Sequence, residues 1–304
     1  MSLRLSPRDF AVVLAVVAVW GFAFVPIRWA LDSVPPFALA ALRFLFAALP
    51  AVLFIKRPNV SWRVLTAYGV AIGVFQFGFL FTGMRLGMPA GLSSLVIQTQ
   101  VFFTIGLAAW WLRDRLTRHS LIGAGIAATG IAVLAAHKLA SGATATLLGF
   151  ALVLAAALSW GIGNVIVKRA AGRGEVDMLG VVVWASLVAP VPLALASYFL
   201  EGGYAVLTTV ATMGWEPWAC VLFLSYFATI FCYARWNVLL HRYPTAVIAP
   251  FALLVPVTGL LSGALFLGER LAPLQLAGAA LVLAGLAWNV FGGQAREWLA
   301  DVFD

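Results

Sequence analysis

The chain has 304 residues, of which 63% are hydrophobic and only 10% charged, at a mean hydropathy of +1.03. Soluble domains carry about a quarter charged residues, so this composition excludes a soluble globule and specifies an integral membrane protein. The net charge of +8 lies mostly in the links between apolar stretches, which assigns it to orientation in a membrane and not to nucleic acid.

Ten apolar stretches follow one another, at approximately 10–30, 37–55, 64–85, 91–112, 120–137, 147–168, 178–200, 218–240, 245–267 and 274–291. Each is close to the ~20 residues that cross a hydrocarbon core. The first holds Trp20-Gly21 at its middle and Arg28 near its end, contains no acid, and runs too far for a cleavable signal. The second follows Val34-Pro35-Pro36 and carries Arg43-Phe44 about two turns in. Arg43 either snorkels to the headgroups or caps helix carbonyls, or it attracts a substrate carboxylate. The third is rich in glycine (Gly69, Gly73, Gly78, Gly83) and has Gln76 at its middle. The fourth, after Gly87-Met88-Pro89, carries Gln98 and Gln100, which on a regular helix point to different faces. The sixth places Asn164 at i+4 from Trp160, on the same helix face. The eighth carries Tyr226, Tyr233, Arg235 and Trp236, with Cys220 and Cys232 too far apart along its axis to bridge, so that they read as packing residues.

The stretches repeat. Pro89 to Gly130 matches Pro244 to Gly285 at an offset of 155, pairing Asp114-Arg115-Leu116 with Glu269-Arg270-Leu271, Gly123 with Gly278 and Gly130 with Gly285. At an offset of 140, Trp20-Gly21 pairs with Trp160-Gly161, Arg28 with Lys168 and Pro50 with Pro190. The chain therefore reads as two units, 1–140 and 141–304, of five spans each. An odd number of crossings inserts the second unit upside down, related to the first by a pseudo-two-fold axis in the membrane plane. Charge sets the direction. Thirteen basic residues (Arg4, Arg8, Lys56, Arg57, Arg63, Arg113, Arg115, Arg118, Lys168, Arg169, Arg173, Arg242, Arg296) fall at one face, against Arg28, Arg85, Lys138 and Arg270 at the other. Positive residues stay inside, so both termini are expected in the cytoplasm.

Trp20-Gly21 followed by Arg28, Arg43-Phe44, and Leu267-Gly268-Glu269-Arg270-Leu271 resemble the EamA-type transporters of the drug/metabolite transporter superfamily, over essentially the whole chain as two EamA repeats. Within that superfamily the chain resembles the YddG-like amino-acid exporters. The resemblance implies an all-α fold of ten transmembrane helices around a central cavity, in a bacterial inner membrane, moving small metabolites. Two departures stand out: Arg28 occupies a position often held by lysine, and the second repeat has Val183 where the first has Arg43.

All eleven acids fall outside the middle of any span, so no carboxylate-based proton coupling is expected. Alternating access driven by the substrate gradient suffices. The candidate substrate-binding residues are Trp20, Gln76, Phe79, Gln98, Gln100, Trp160, Asn164, Tyr226, Tyr233 and Trp236. The aromatics suit an apolar or aromatic solute, and the amides both donate to a carboxylate and accept from an ammonium. Gly83, Pro89, Gly91, Pro244, Pro250 and Pro256 are the candidate hinges, since proline kinks a helix and glycine permits close packing. Each of these positions also has a purely structural reading, as interhelical glue or close packing. No nucleophile triad, metal cluster or phosphate loop is legible, so neither enzymatic chemistry nor a cofactor or metal is expected. The expected partners are a small solute, neutral or aromatic amino acids first, and the lipid bilayer; the oligomeric state is not legible, and a monomer is compatible. The alternatives are a carrier of a drug, nucleotide-sugar or phosphate ester, or a scaffold or scramblase without transport.

Overall fold

The computed structural model describes residues 5–140, 144–171 and 176–303; Arg4, Arg173, Glu175 and Asp304 lie outside these, as does the link that opens the expected second repeat. Every regular element among the described residues is helical. Among the described residues, nine helices are long and apolar enough to cross a membrane: α1 (Pro7–Ala30), α2 (Pro36–Leu53), α3 (Trp62–Arg85), α4 (Ala90–Leu112), α5 (Arg118–His137), α6 (Thr146–Ala170), α8 (Trp215–Arg242), α9 (Ala249–Leu267) and α10 (Pro273–Gly292). The tenth span, α7, is the bent pair Met178–Ala185 and Pro190–Leu200. It turns by 41° between its two parts. Pro190 lacks the N–H to continue the hydrogen-bond ladder and starts a new helix instead. Its repeat partner Pro50 does the same in α2, where α-helical turns end at Ala48 and a 3-10 turn follows from Ala51 to Leu53. The long link before α8 holds a short helix, Tyr204–Thr212.

Trp110, Phe199 and Leu265 are among the large apolar side chains left exposed, and nonpolar exposure on this scale is a lipid-facing surface. Inside, one cluster of buried residues from both repeats forms the core, including Ile27, Leu39, Leu80, Phe81, Leu95, Val153, Leu193 and Leu224.

The inverted symmetry is visible in which helices touch. α4 packs on α6 as α9 packs on α1, and α3 packs on α6 as α8 packs on α1, while α5 meets its own counterpart α10. The α5–α10 seam is held by the glycines matched in the sequence. A Cβ on Gly123 would lie 2.7 Å from the Gly285 carbonyl oxygen, and one on Gly130 2.7 Å from that of Gly278. The sequence pairs are Gly123 with Gly278 and Gly130 with Gly285, so the two contacts exchange under the repeat operation. Only a two-fold relation does that.

Besides α2 and α7, four spans contain non-α turns, again in repeat-related pairs. α3 and α8 contain π-helical stretches, Gly69–Gln76 and Phe223–Phe231, and α4 and α9 contain 3-10 turns, Ile97–Thr99 and Ala249–Leu253. Such turns recur at functional sites because they re-aim side chains and leave backbone groups free.

A cavity between the repeats

The two ends of the molecule are closed differently. At one end, the face of Glu269, three contacts tie element to element. The Glu269 carboxylate accepts from the backbone N–H groups of Ala90 and Gly91, at 2.6 and 2.9 Å, capping the start of α4 from the α9–α10 link. Glu201 at the end of α7 accepts from Phe37 and Ala38 at the start of α2, at 2.8 and 3.3 Å. Arg85 at the end of α3 donates to the Leu31 carbonyl. Carboxylates suit helix N-termini, whose first N–H groups are orphans at the positive end of the dipole.

At the opposite face, Asp114 occupies the position that repeats Glu269, and its turn is the same. Arg113 and Gly268 both adopt the left-handed conformation, with φ of 58° and 63°. The N–H groups of Asp114 and Glu269 reach back to Ala108 and Gly263 in the same way. The carboxylate has a different partner: Asp114 pairs with Lys168 at the end of α6. The acid-Arg-Leu sequence thus folds identically twice and latches once.

Between the faces lies a cavity of about 350 Å³. Ala23, Phe24, Ile27, Leu80 and Ile97 wall it toward the Glu269 face, and Met178, Asn237 and Leu240 line it toward the Asp114 face. Contacts cross between elements at the Asp114 face as well: Asn237 donates to Asp177 Oδ1 at 3.0 Å, and Arg242 to Asp9 Oδ1 at 3.2 Å. Eight of the residues expected from sequence line the cavity: Trp20, Gln76, Gln98, Gln100, Trp160, Asn164, Tyr233 and Trp236. The Trp20 indole N–H donates to the Ala228 carbonyl at 2.9 Å, and its ring meets Tyr233 and Trp236 at centroid distances of 5.6 and 5.2 Å. The π-helical turn of α8 brings all three partners onto this wall. Asn164 donates to Gln100 Oε1 and Thr104 Oγ1, at 2.8 and 3.1 Å, and Gln98 donates to the Ala252 carbonyl at 3.3 Å.

Gln98 and Gln100 reach different helices, α9 and α6, and both line the cavity, as the 3-10 turn narrows their separation from about 160° to about 120°. Several expectations are corrected. Phe79 and Tyr226 are not on the wall: Phe79 packs on Phe75, and the Tyr226 hydroxyl donates to the Leu49 carbonyl. Tyr226 lies inside the π-helical stretch of α8, which turns it away from Tyr233, whereas Phe79 lies in the regular helix after Gln76, where Phe77 and Leu80 take the wall. Among the candidate hinges, Gly83 and Gly91 sit at tight contacts, where added Cβ atoms would lie 2.7 Å from the Gly149 carbonyl oxygen and 3.1 Å from Glu269. Pro89 caps the start of α4, Pro244 precedes the helical turn that leads into α9, Pro250 lies within the 3-10 turn and Pro256 is buried in α9. α8, which has no glycine or proline between Phe223 and Phe231, was missed because π-helical bonding leaves no such composition signal. Wall residues Tyr68, Met178 and Asn237 were also missed, although Asn237 and Tyr68 are polar groups inside apolar spans.

Arg43 does not snorkel. It is 7% exposed, lines the cavity, and holds its guanidinium 3.8 Å from the Phe77 ring centroid. It donates to Thr229 Oγ1 at 3.1 Å. That hydroxyl in turn donates to the Leu224 carbonyl at 2.8 Å, five residues back along the π-helical turn.

A bundle of ten spans in two inverted repeats, with a cavity at their interface, defines a membrane transporter. The chain belongs to the EamA-like transporter family, which matches residues 9–136 and 147–291. A protein of Salmonella typhimurium named "Probable amino-acid metabolite efflux pump" is 43% identical over 96% of this chain and 98% of its own. An Escherichia coli protein of the same name is 42% identical over the same shares. A solved crystal structure with 22% identity, covering 93% of this chain and 96% of its own, superposes with a TM-score of 0.59, in keeping with the fold.

Proposed function

We propose that this transporter exports small amino-acid metabolites, neutral and aromatic amino acids first, across a bacterial inner membrane by alternating access. The observation that carries the reading is the cavity wall. Indole and phenol rings supply apolar area, amides supply a few convergent polar groups, and among the described residues no carboxylate lines it. The names of the two relatives point to the same substrate class. Placing the basic links inside puts both termini and the Asp114 face in the cytoplasm, the side from which an exporter loads. We take residues 1–140 and 141–304 as the two repeats and a single chain as the working unit, with no catalysis and no cofactor. With no acid on the wall, the substrate's own gradient drives the cycle.

Counterflow in liposomes tests this. Purified protein reconstituted with internal L-phenylalanine, L-tryptophan or L-methionine should accumulate the labelled amino acid outside-to-inside without a pH gradient. A cationic dye and a sugar phosphate should give none. Failure of every amino acid sinks the substrate class, and transport that needs an imposed pH gradient sinks the uncoupled mechanism.

A further inference from the structure

Two buried polar atoms on the cavity wall have no hydrogen-bond partner: Arg43 Nε and Gln76 Oε1. Their side chains are 7% and 3% exposed. Arg43 is also without a counter-charge. Its neighbours are the Thr229 hydroxyl and the faces of Phe77 and Phe44, and none of the ion pairs among the described residues includes it. Ring faces and one hydroxyl offset only part of the cost of a charge at membrane depth. A guanidinium carries five N–H donors in a planar fork shaped for a carboxylate. Gln76 Oε1 needs the opposite, a donor. Gln76 is adjacent in α3 to Phe77, the residue on which the guanidinium rests, so the unfilled donor and the unfilled acceptor share one patch of wall.

We propose that Arg43 and Gln76 form the headgroup subsite of the cavity. Arg43 holds the substrate carboxylate, and Gln76 Oε1 accepts from its α-ammonium. The substrate side chain then lies along Trp20, Trp160, Tyr233 and Trp236. This rests on the amino-acid reading above and sharpens it: the protein selects the free zwitterion, and the side chain is secondary. An acceptor beside the cation also disfavours a phosphate dianion, which has nothing to donate to Gln76. The repeats divide the labour, since Val183 replaces Arg43 in the second and only one headgroup site exists per chain.

The test compares L-phenylalanine with L-phenylalaninamide, phenylethylamine and 3-phenylpropionate as competitors of phenylalanine counterflow by the wild-type protein. The amide and the amine, lacking the carboxylate, should compete at least about tenfold more weakly than phenylalanine. Arg43→Met should raise the KM for phenylalanine by about tenfold to a hundredfold, with Arg43→Lys intermediate. Gln76→Leu should weaken phenylalanine while leaving 3-phenylpropionate competition unchanged. Thermal unfolding in detergent separates a lost subsite from a lost fold, and the competitor series needs no variant at all. Equal competition by the amide, or an unchanged KM in folded Arg43→Met, overturns the headgroup assignment while leaving amino-acid export intact. If the wild-type protein moves no amino acid, both readings fall together.

Discussion

Replacing Glu269 with alanine should loosen the closure at the Glu269 face. The carboxylate makes two charge-assisted bonds, to the N–H groups of Ala90 and Gly91, and they are the link between the end of α9 and the start of α4. Hydrogen bonds to a charged group contribute about 1.5–3 kcal/mol each, and losing both leaves the N–H groups to water once the face opens. Taking about 3 kcal/mol as the net loss, the ratio of outward-open to inward-open molecules rises by about a hundredfold. Glu269→Gln keeps one acceptor oxygen and should give about a tenfold rise. The reporter is a cysteine at Ile27, which is buried on the wall near that face, in a background with Cys220 and Cys232 replaced. Its labelling by a membrane-impermeant maleimide added from the Glu269 side should be slow in the parent and accelerate in the order Gln then Ala. Unchanged labelling in Glu269→Ala would refute the latch, whatever happens to transport.

Asp114 stands where Glu269 stands in the other repeat, and the backbone at positions 245 and 246 corresponds to Ala90 and Gly91. Asp114→Asn is therefore expected to slow counterflow without raising Ile27→Cys labelling, because it weakens the closure used in the opposite state. Gly130→Val should lower thermal stability by about 2 kcal/mol or more, since its Cβ would lie 2.7 Å from the Gly278 carbonyl oxygen. Gly106→Ala, whose Cβ meets nothing within 4 Å, should be neutral or mildly stabilising in the same detergent melt. Equal melting of the two variants would remove the close-approach account of the seam.

What was legible in the sequence is what depends on composition and period. Spans, the duplication and the glycine pairs of α5 and α10 are written in residue type, and the matched prolines mark the breaks in α2 and α7. The amides and tryptophans at depth were found because burying a polar atom in hydrocarbon requires a partner. Side-chain direction was the weak link, because it rests on assuming 3.6 residues per turn. The π-helical stretches of α3 and α8 and the 3-10 turn of α4 change that number locally. The π-helical stretch of α8 took Tyr226 off the wall, whereas Phe79, in the regular helix after Gln76, turns to Phe75. Arg43 failed as a snorkelling residue for a different reason: its helix face is set by packing against α8, where the Ser225 hydroxyl donates to the Arg43 carbonyl at 2.9 Å and Thr229 holds the guanidinium.

The crossing of α5 and α10 has one more meaning. Gly123 against Gly285 and Gly130 against Gly278 are two copies of one contact, which is the definition of an isologous interface. A helix that meets its own copy this way needs no covalent link to do so. The seam is a homodimer interface carried inside one polypeptide, and the two repeats supplied as separate chains should find each other through it.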